Sequence, residues 1–490
     1  MGVGHTVIVV FSLMRFSTTI MATSAASTSA APKAAHHQAG SHPYASIPDE
    51  YILQQVVVVH RHGDRSQIAR SIGLNHPESA ETAEAWSTKM PSAASLRAMA
   101  AVAQSQLTDL EAPEARSLVD EIYSGEDKAS RPYAQLTERG VLQLIAVGRA
   151  LRNRYLDGPA RLRLLPDASL GAAATHVYAR STNMCRTLQS LRSLLAGFYA
   201  VDGGEEAGAS TASALGDATA LRIHTRPKVR EVMFPGADGP CEAMAARRNV
   251  VFPPDYMDNH WPGFGELEAR VKTLLGYQDR VAWLTVKEIL TCSKEHGLAF
   301  PPGITLEDEA HIGSLAGWMW GRVYSDTQLN RLAIGRFVCE MADDLRAAMG
   351  PAPADESANP ATAFASAAGK KLLLYSGHDS TLVPLLCALE CYDGVWPPYA
   401  SFLSLEIAQD RASGERFVRA LYNDREVHML GQPGPWCAFD VFFSALERVS
   451  LRHDDYRAQC SGAEAGLAGE VKASANAKAY EAEVKATIGI

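Results

Sequence analysis

The residues best equipped for chemistry stand together at His60-Arg61-His62-Gly63-Asp64-Arg65-Ser66. Two arginines four apart offer fork-shaped donors that suit the oxygens of a dianion. A histidine beside the first of them can act as a nucleophile. A cation clamp around an attackable phosphorus is the equipment of phosphoryl transfer. Taken singly, each part has a plainer meaning. Gly63 can be a tight turn, Asp64 can open a helix or support a neighbour, and the charged run can be a surface loop.

Position sharpens the reading. The run follows Val56-Val57-Val58-Val59, part of a predicted strand over 54–59 whose β-branched residues read as buried on both faces. His176 to Ala179 predicts a second strand, ending at Arg180-Ser181-Thr182 before a helical pattern over 182–199. Lys371 to Ser376 predicts a third, ending at Gly377-His378-Asp379-Ser380. Open α/β sheets bind ligands beyond the carboxyl ends of their strands. If the three strands run parallel in one sheet, their ends converge. Arg61, Arg65 and Arg180 then bind phosphate together with His378. His62 attacks phosphorus, and Asp379 protonates the leaving oxygen. The arginines supply the positive charge, so no cofactor and no metal is expected. On the plainer reading, Ser181 or Thr182 simply caps the next helix.

The chain has 490 residues, 47% apolar, with a formal net charge of -9. That allows a large core in two lobes. It argues against nucleic acid as a partner, because such binders present a basic surface. No apolar run reaches the ~20 residues that a transmembrane span needs. Eight cysteines without a C-x-x-C pair argue against structural zinc. One or two disulfides fit if the chain is exported. Cys387 and Cys391 read as buried thiols on one helix face.

The expected organisation has five parts. Residues 1–45 are a targeting or disordered leader, for a mitochondrial or a secretory and endomembrane destination. Residues 46–201 are the first part of an α/β core, with a helical excursion over 70–125. Residues 202–330 are a linker and a mainly helical cap, 331–460 the second part of the core, and 461–490 a flexible tail. Helices are predicted over 136–155 and 327–349, and paired strands over 401–408 and 417–423. Trp318-Met319-Trp320 is either a substrate-facing patch or lobe packing.

On these residues the chain resembles the histidine acid phosphatases, which carry an R-H-G-x-R-x-P motif and a late H-D motif. Arg61-His62-Gly63-Asp64-Arg65 matches the first and Gly377-His378-Asp379 the second. Tyr178-Ala179-Arg180-Ser181-Thr182 looks like the segment that gives a third phosphate-binding arginine. The resemblance covers most of residues 50–460. It implies an α/β core with a central, mostly parallel sheet and a mainly helical cap. It implies hydrolysis of phosphate monoesters through a phosphohistidine on His62, with Asp379 as proton donor and Arg61, Arg65, Arg180 and His378 on the phosphate. Segments 378–386, 393–399 and 417–440 are most similar to members that hydrolyse lysophosphatidate, which implies a lysophospholipid substrate. Sugar, glycan or inositol phosphates are the alternative substrates. A non-catalytic phosphate-binding protein is the alternative outside enzymes, disfavoured because His62 and Asp379 are both present. Gln67 stands where the motif has proline, which predicts a less rigidly preset loop after Arg65. The sequence does not fix the oligomeric state.

Overall fold

The computed structural model describes residues 46–107, 132–159, 162–166, 175–199, 221–227, 230–236, 239–350 and 367–461. The expected leader, the Gly- and Ala-rich linker over 202–220, the stretch 351–366 and the tail from 462 lie outside the described residues, as does 108–131 of the helical excursion.

Five strands form the parallel part of one sheet: β1 (Tyr51–Arg61), β2 (Ala103–Leu107), β3 (Val177–Ser181), β4 (Leu221–Thr225) and β5 (Leu372–Gly377). Their order across the sheet is β2-β4-β3-β5-β1. β6 (Phe402–Asp410) pairs antiparallel with β1, and β7 (Arg416–Tyr422) pairs with β6 as the predicted late hairpin. β8 (Arg425–Val427) and β9 (Trp436–Ala438) complete that side. The fold is α/β with a central, mostly parallel sheet. β2 is absent from the sequence reading, because Ala103-Gln104-Ser105-Gln106-Leu107 shows neither an apolar run nor a clear alternation.

Two helices, α1 (Ala80–Ser87) and α2 (Ala93–Val102), follow β1. α3 (Glu138–Tyr155) begins where Thr137 accepts a hydrogen bond from the Gly140 amide, which satisfies an otherwise unpaired donor. α3 and α4 (Cys185–Phe198) cover one sheet face, packing Leu144, Leu151, Leu191 and Leu194 over Val56, Val58 and Leu374. Then comes a mainly helical group: α5 (Glu242–Val251), α6 (Tyr256–His260), α7 (Phe264–Leu275), α8 (Trp283–His296) and α9 (Leu306–Ser325). Val271 and Leu275 pack there with Val286, Leu290, Ile312 and Leu315 in a core separate from the sheet. α9 starts at a capping box between Thr305 and Asp308.

α10 (Thr327–Ala348), α11 (Asp379–Ala388) and α12 (Phe439–Val449) cover the second face, over Val57, Val59, Leu373 and Leu405. α13 (His453–Cys460) ends at a disulfide from Cys460 to Cys241, at the start of α5. The valine run of β1 therefore divides by parity between two cores, as a strand buried on both faces must. Each such side chain contributes roughly 1.5–3 kcal/mol on burial. Cys387 and Cys391 are free thiols and half-buried. Among the described residues no helix is long and apolar enough to cross a membrane.

Candidate active site

β1, β5 and β3 are adjacent parallel strands, and their register sets the site. Arg61 lies level with Gly377, and Ser181 with Ser376. The His62 amide donates to the Gly377 carbonyl at 3.0 Å, and the Thr182 amide to the Ser376 carbonyl at 3.1 Å. The three strand ends thus leave the sheet along one edge, where the sequence places them.

Beyond that edge is a pocket lined by Arg61, His62, Arg65, Arg186, His378 and Asp379. Lys287, Glu288 and Tyr399 line it too, with Phe234, Leu284, Trp320 and Trp396 as apolar wall. His62 Nδ1–H donates to the Gly63 carbonyl at 2.8 Å, which leaves Nε2 as the ring's lone-pair atom. Burial, then Arg186 and Arg61, push the His62 pKa well below its ordinary value, so the ring is neutral. His378 is depressed likewise, by burial and then Arg186, and its Nε2 shares a 2.9 Å hydrogen bond with Thr182 Oγ1.

Asp379 Oδ2 accepts from Arg61 at 2.8 Å and from Trp396 Nε1 at 3.2 Å. Burial raises its pKa, but Arg61 and Lys287 outweigh burial and hold it at about 2. Arg61 also donates to the Pro397 carbonyl at 2.6 Å and lies 4.2 Å from the Tyr399 ring centroid. Arg65 is ion-paired to Glu288 of α8, whose carboxylate also takes the Ile68 amide at 2.8 Å. Neutral Nε2, flanking guanidiniums and a carboxyl in one pocket can together perform an in-line attack on a phosphate ester.

One expected residue is elsewhere. Arg180 does not line the pocket; its guanidinium is ion-paired with Glu340 at 2.6 Å and Glu231 at 3.3 Å. Strand parity explains this. Arg180 shares a side of β3 with Tyr178, which belongs to the second-face core, and both lie toward α10. The third pocket arginine is Arg186, in the first turn of α4. Burial and Arg65 lower its pKa to about 9. The Arg180 pairing has a structural role of its own, because Glu231 also accepts the Val232 and Met233 amides at 2.9 Å. The next residue, Phe234, then packs edge-on against His378 with ring centroids 4.9 Å apart.

Gly63 and Gln67 differ from expectation, while Asp64 supports its neighbours as one of its readings had it. A Cβ on Gly63 would collide with the Gly140 backbone, so this glycine serves a close approach between strand exit and α3 rather than a special turn. Asp64 is buried and accepts from Thr137 Oγ1 and His296 Nε2, tying the loop to α3 and α8. Gln67 is not a loose substitute for proline. Its side chain accepts from Trp86 Nε1 at 3.2 Å and donates to the Ala69 carbonyl at 2.9 Å. Lys287, Glu288 and Tyr399 were not anticipated as pocket residues. Of Trp318-Met319-Trp320, Trp320 lines the pocket, while Trp318 and Met319 pack in the core of the helical group.

A larger groove of about 1050 Å³ is lined by Arg226, Arg336 and Arg452 among others. There Arg226 is ion-paired to Glu340 and Arg452 to Asp343, both at 2.7 Å, and no histidine of the motifs takes part. The chemistry therefore belongs to the smaller pocket.

Residues 52–247 and 278–423 match the family described as histidine phosphatase superfamily (branch 2). Lysophosphatidic acid phosphatase type 6 of Mus musculus is 28% identical over 338 residues, covering 67% of this chain and 70% of that one. Lysosomal acid phosphatase of Bos taurus is 27% identical over 318 residues, covering 64% and 66%. Among solved structures, Hafnia alvei phytase in complex with myo-inositol hexakis sulphate aligns with a TM-score of 0.52 at 14% identity, covering 85% of this chain and 100% of that one. This last likeness speaks to the fold alone.

Proposed function

The chain belongs to the histidine phosphatase superfamily (branch 2) and is an acid phosphatase that hydrolyses phosphate monoesters, and we propose that His62 is its nucleophile, Asp379 its proton donor and lysophosphatidate-like lipids its substrates. The observation that carries the mechanism is the neutral His62 ring. Its free Nε2 faces a pocket of arginines, while Nδ1–H is fixed on the Gly63 carbonyl. Nε2 attacks phosphorus and the ester P–O bond breaks. The leaving oxygen takes its proton from the Asp379 carboxyl. Water then attacks the phosphohistidine, Asp379 carboxylate takes the water's proton, and phosphate leaves. Arg61, Arg65, Arg186 and His378 hold the phosphate oxygens throughout.

Arg61 and Lys287 favour the ionised form of Asp379, so its proton arrives with substrate. A phosphate monoester has its second ionisation near pH 6. Below that pH the substrate brings a proton, and its remaining charge competes for Arg61 and raises the proton affinity of Asp379. An acidic optimum follows.

Leu284, Trp320, Trp396 and Phe234 form an apolar wall beside the phosphate pocket. That wall, and similarity to lysophosphatidic acid phosphatase type 6, support a lipid leaving group. In this reading the helical group within 202–330 is the cap that shapes the leaving-group side. Rapid acid-free quenching should trap alkali-stable, acid-labile phosphate on the wild type and none on His62→Ala. A phosphoenzyme on the variant would sink the assignment. Comparing lysophosphatidate, glucose 6-phosphate and inositol hexakisphosphate should show the highest kcat/KM for the lipid; equal values would refute the preference.

A further inference from the structure

Lys287 enters the mechanism above only through its charge, which helps keep Asp379 ionised. It sits on α8 with 7% of its surface exposed. Its ammonium lies 4.2 Å from the centroid of the Trp396 ring, at the pocket, and among the described residues no hydrogen bond or ion pair engages it. A buried ammonium against a ring face, with the Asp379 charge near but no acceptor bound to it, is costly unless something takes its hydrogen bonds. Burial, then Arg61, pull its pKa down to about 7, against the opposing pull of the Asp379 carboxylate.

Its location says what would complete it. The same Trp396 donates from Nε1 to Asp379, the residue assigned to the leaving oxygen. The phosphate clamp lies around His62, with Arg65 held by Glu288. Lys287 is thus on the leaving-group side, among Leu284, Trp320 and Trp396. A wholly hydrocarbon leaving group would cover this ammonium and give it nothing. An oxygen beside the ester would complete it.

We infer that Lys287 is a specificity-determining residue that binds an acceptor oxygen on the carbon next to the ester carbon, so that the enzyme takes phosphomonoesters of glycerol and other polyols in preference to those of simple alcohols. This rests on the reading of His62 and Asp379 given above. The oxygen is common to acylated glycerol phosphates and to sugar phosphates. The apolar wall favours the former.

The test compares propane-1,2-diol 1-phosphate with propyl phosphate, which differ by one hydroxyl. For the wild type, kcat/KM should favour the diol ester by about tenfold, the loss typical of one hydrogen bond to a charged group. In Lys287→Met the ratio should fall to about one, and in Lys287→Arg the preference should persist. An unchanged ratio in Lys287→Met overturns the inference, as does a ratio of one in the wild type. An equal fall for both esters overturns it too, since that would confine Lys287 to the phosphate clamp or to the charge balance of Asp379. If Lys287→Met turns over neither ester, calorimetric affinities for the two esters are measured on His62→Ala with and without Lys287→Met, and the same ratio is read there. Failure to trap phosphohistidine on the wild type would overturn the assignment of His62 without altering the ratio, so the two failures are distinguishable.

Discussion

Two clusters of buried charge can be set side by side. Beneath α3, Glu406 receives Arg154 at 2.6 Å and Tyr155 at 2.8 Å on one oxygen, and Arg419 at 2.6 Å on the other. Arg419 reaches on to Glu426 at 2.7 Å. Two cations meet two carboxylates, and every carboxylate oxygen of Glu406 is used. At the carboxyl edge of the sheet, Arg61, Arg65, Arg186, Arg248 and Lys287 line a pocket with only Glu288 and Asp379. The Nε atoms of Arg61, Arg65 and Arg186 are buried without a partner. The first cluster balances its cations with carboxylates of the protein. The second has more cations than carboxylates, which suits an anion. Buried charge alone does not mark a site; a surplus of one sign does.

The contrast predicts opposite consequences for similar changes. Glu406→Gln removes the buried carboxylate that Arg154 and Arg419 share and should cost about 3–5 kcal/mol of stability. Urea unfolding measures this, while kcat per folded molecule should be nearly unchanged. The pKa of Glu406 is lowered in the fold, because Arg154 and Arg419 outweigh the opposing effect of burial. Its contribution is therefore present above the ordinary glutamate range and is lost as pH falls through the depressed value. A variant as stable as the wild type at pH 7 would remove the distinction between the clusters.

Arg186→Met should do the reverse. Loss of one charged donor to the transition state lowers kcat/KM by roughly 10²–10³. Stability should hold or rise. The folded pKa of about 9 lies below the ordinary value of 12.5, so the charged side chain costs folding free energy at neutral pH. A large fall in thermal midpoint would mean that Arg186 belongs with the structural arginines. Arg180→Met, by contrast, should lose stability, because Glu231 and Glu340 lose their partner.

The cation surplus also governs pH. Burial and Arg186 keep His62 neutral well below pH 6.5. The wild-type kcat/KM should therefore show no fall between about pH 6.5 and 5, where an ordinary histidine takes its proton. In Arg186→Met, with one opposing charge gone, an acid limb should move upward in pH. An acid limb near 6.5 in the wild type would mean that His62 is protonated there, contrary to its surroundings.

Much of this was legible in the sequence. Val56 to Val59 fixed a two-sided strand, and the polar turn after it fixed the edge where chemistry sits. Arg61, His62, Arg65, His378 and Asp379 follow strand ends, and register brings those ends together. Arg180 failed because a strand buried on both faces carries no alternation that says which side a polar residue takes. Arg186 had a signal that went unread, as the first-turn arginine of the helix that leaves the same strand. Lys287 and Glu288 had none. They lie in a helix outside the sheet, and only tertiary packing carries them to the pocket. Gln104 and Ser105 hid β2, an edge strand whose polar composition resembles a loop.

The smallest effect concerns the join between the two kinds of region. Gln67 stands where proline would preset the loop after Arg65, and its neutral side chain does the work by hydrogen bonds instead. Trp86, fully buried, depends on Gln67 Oε1 to accept from its indole N–H. Gln67→Ala strands that donor and should cost about 1 kcal/mol or slightly more. Because the Gln67 carbonyl still holds the Ala134 amide at 2.9 Å and Arg65 keeps Glu288, the clamp should survive. The expected result is a lower urea midpoint with kcat/KM down by less than tenfold. A fall as deep as that of Arg186→Met would show that the clamp is positioned by this neutral loop, and not chiefly by its own ion pairs.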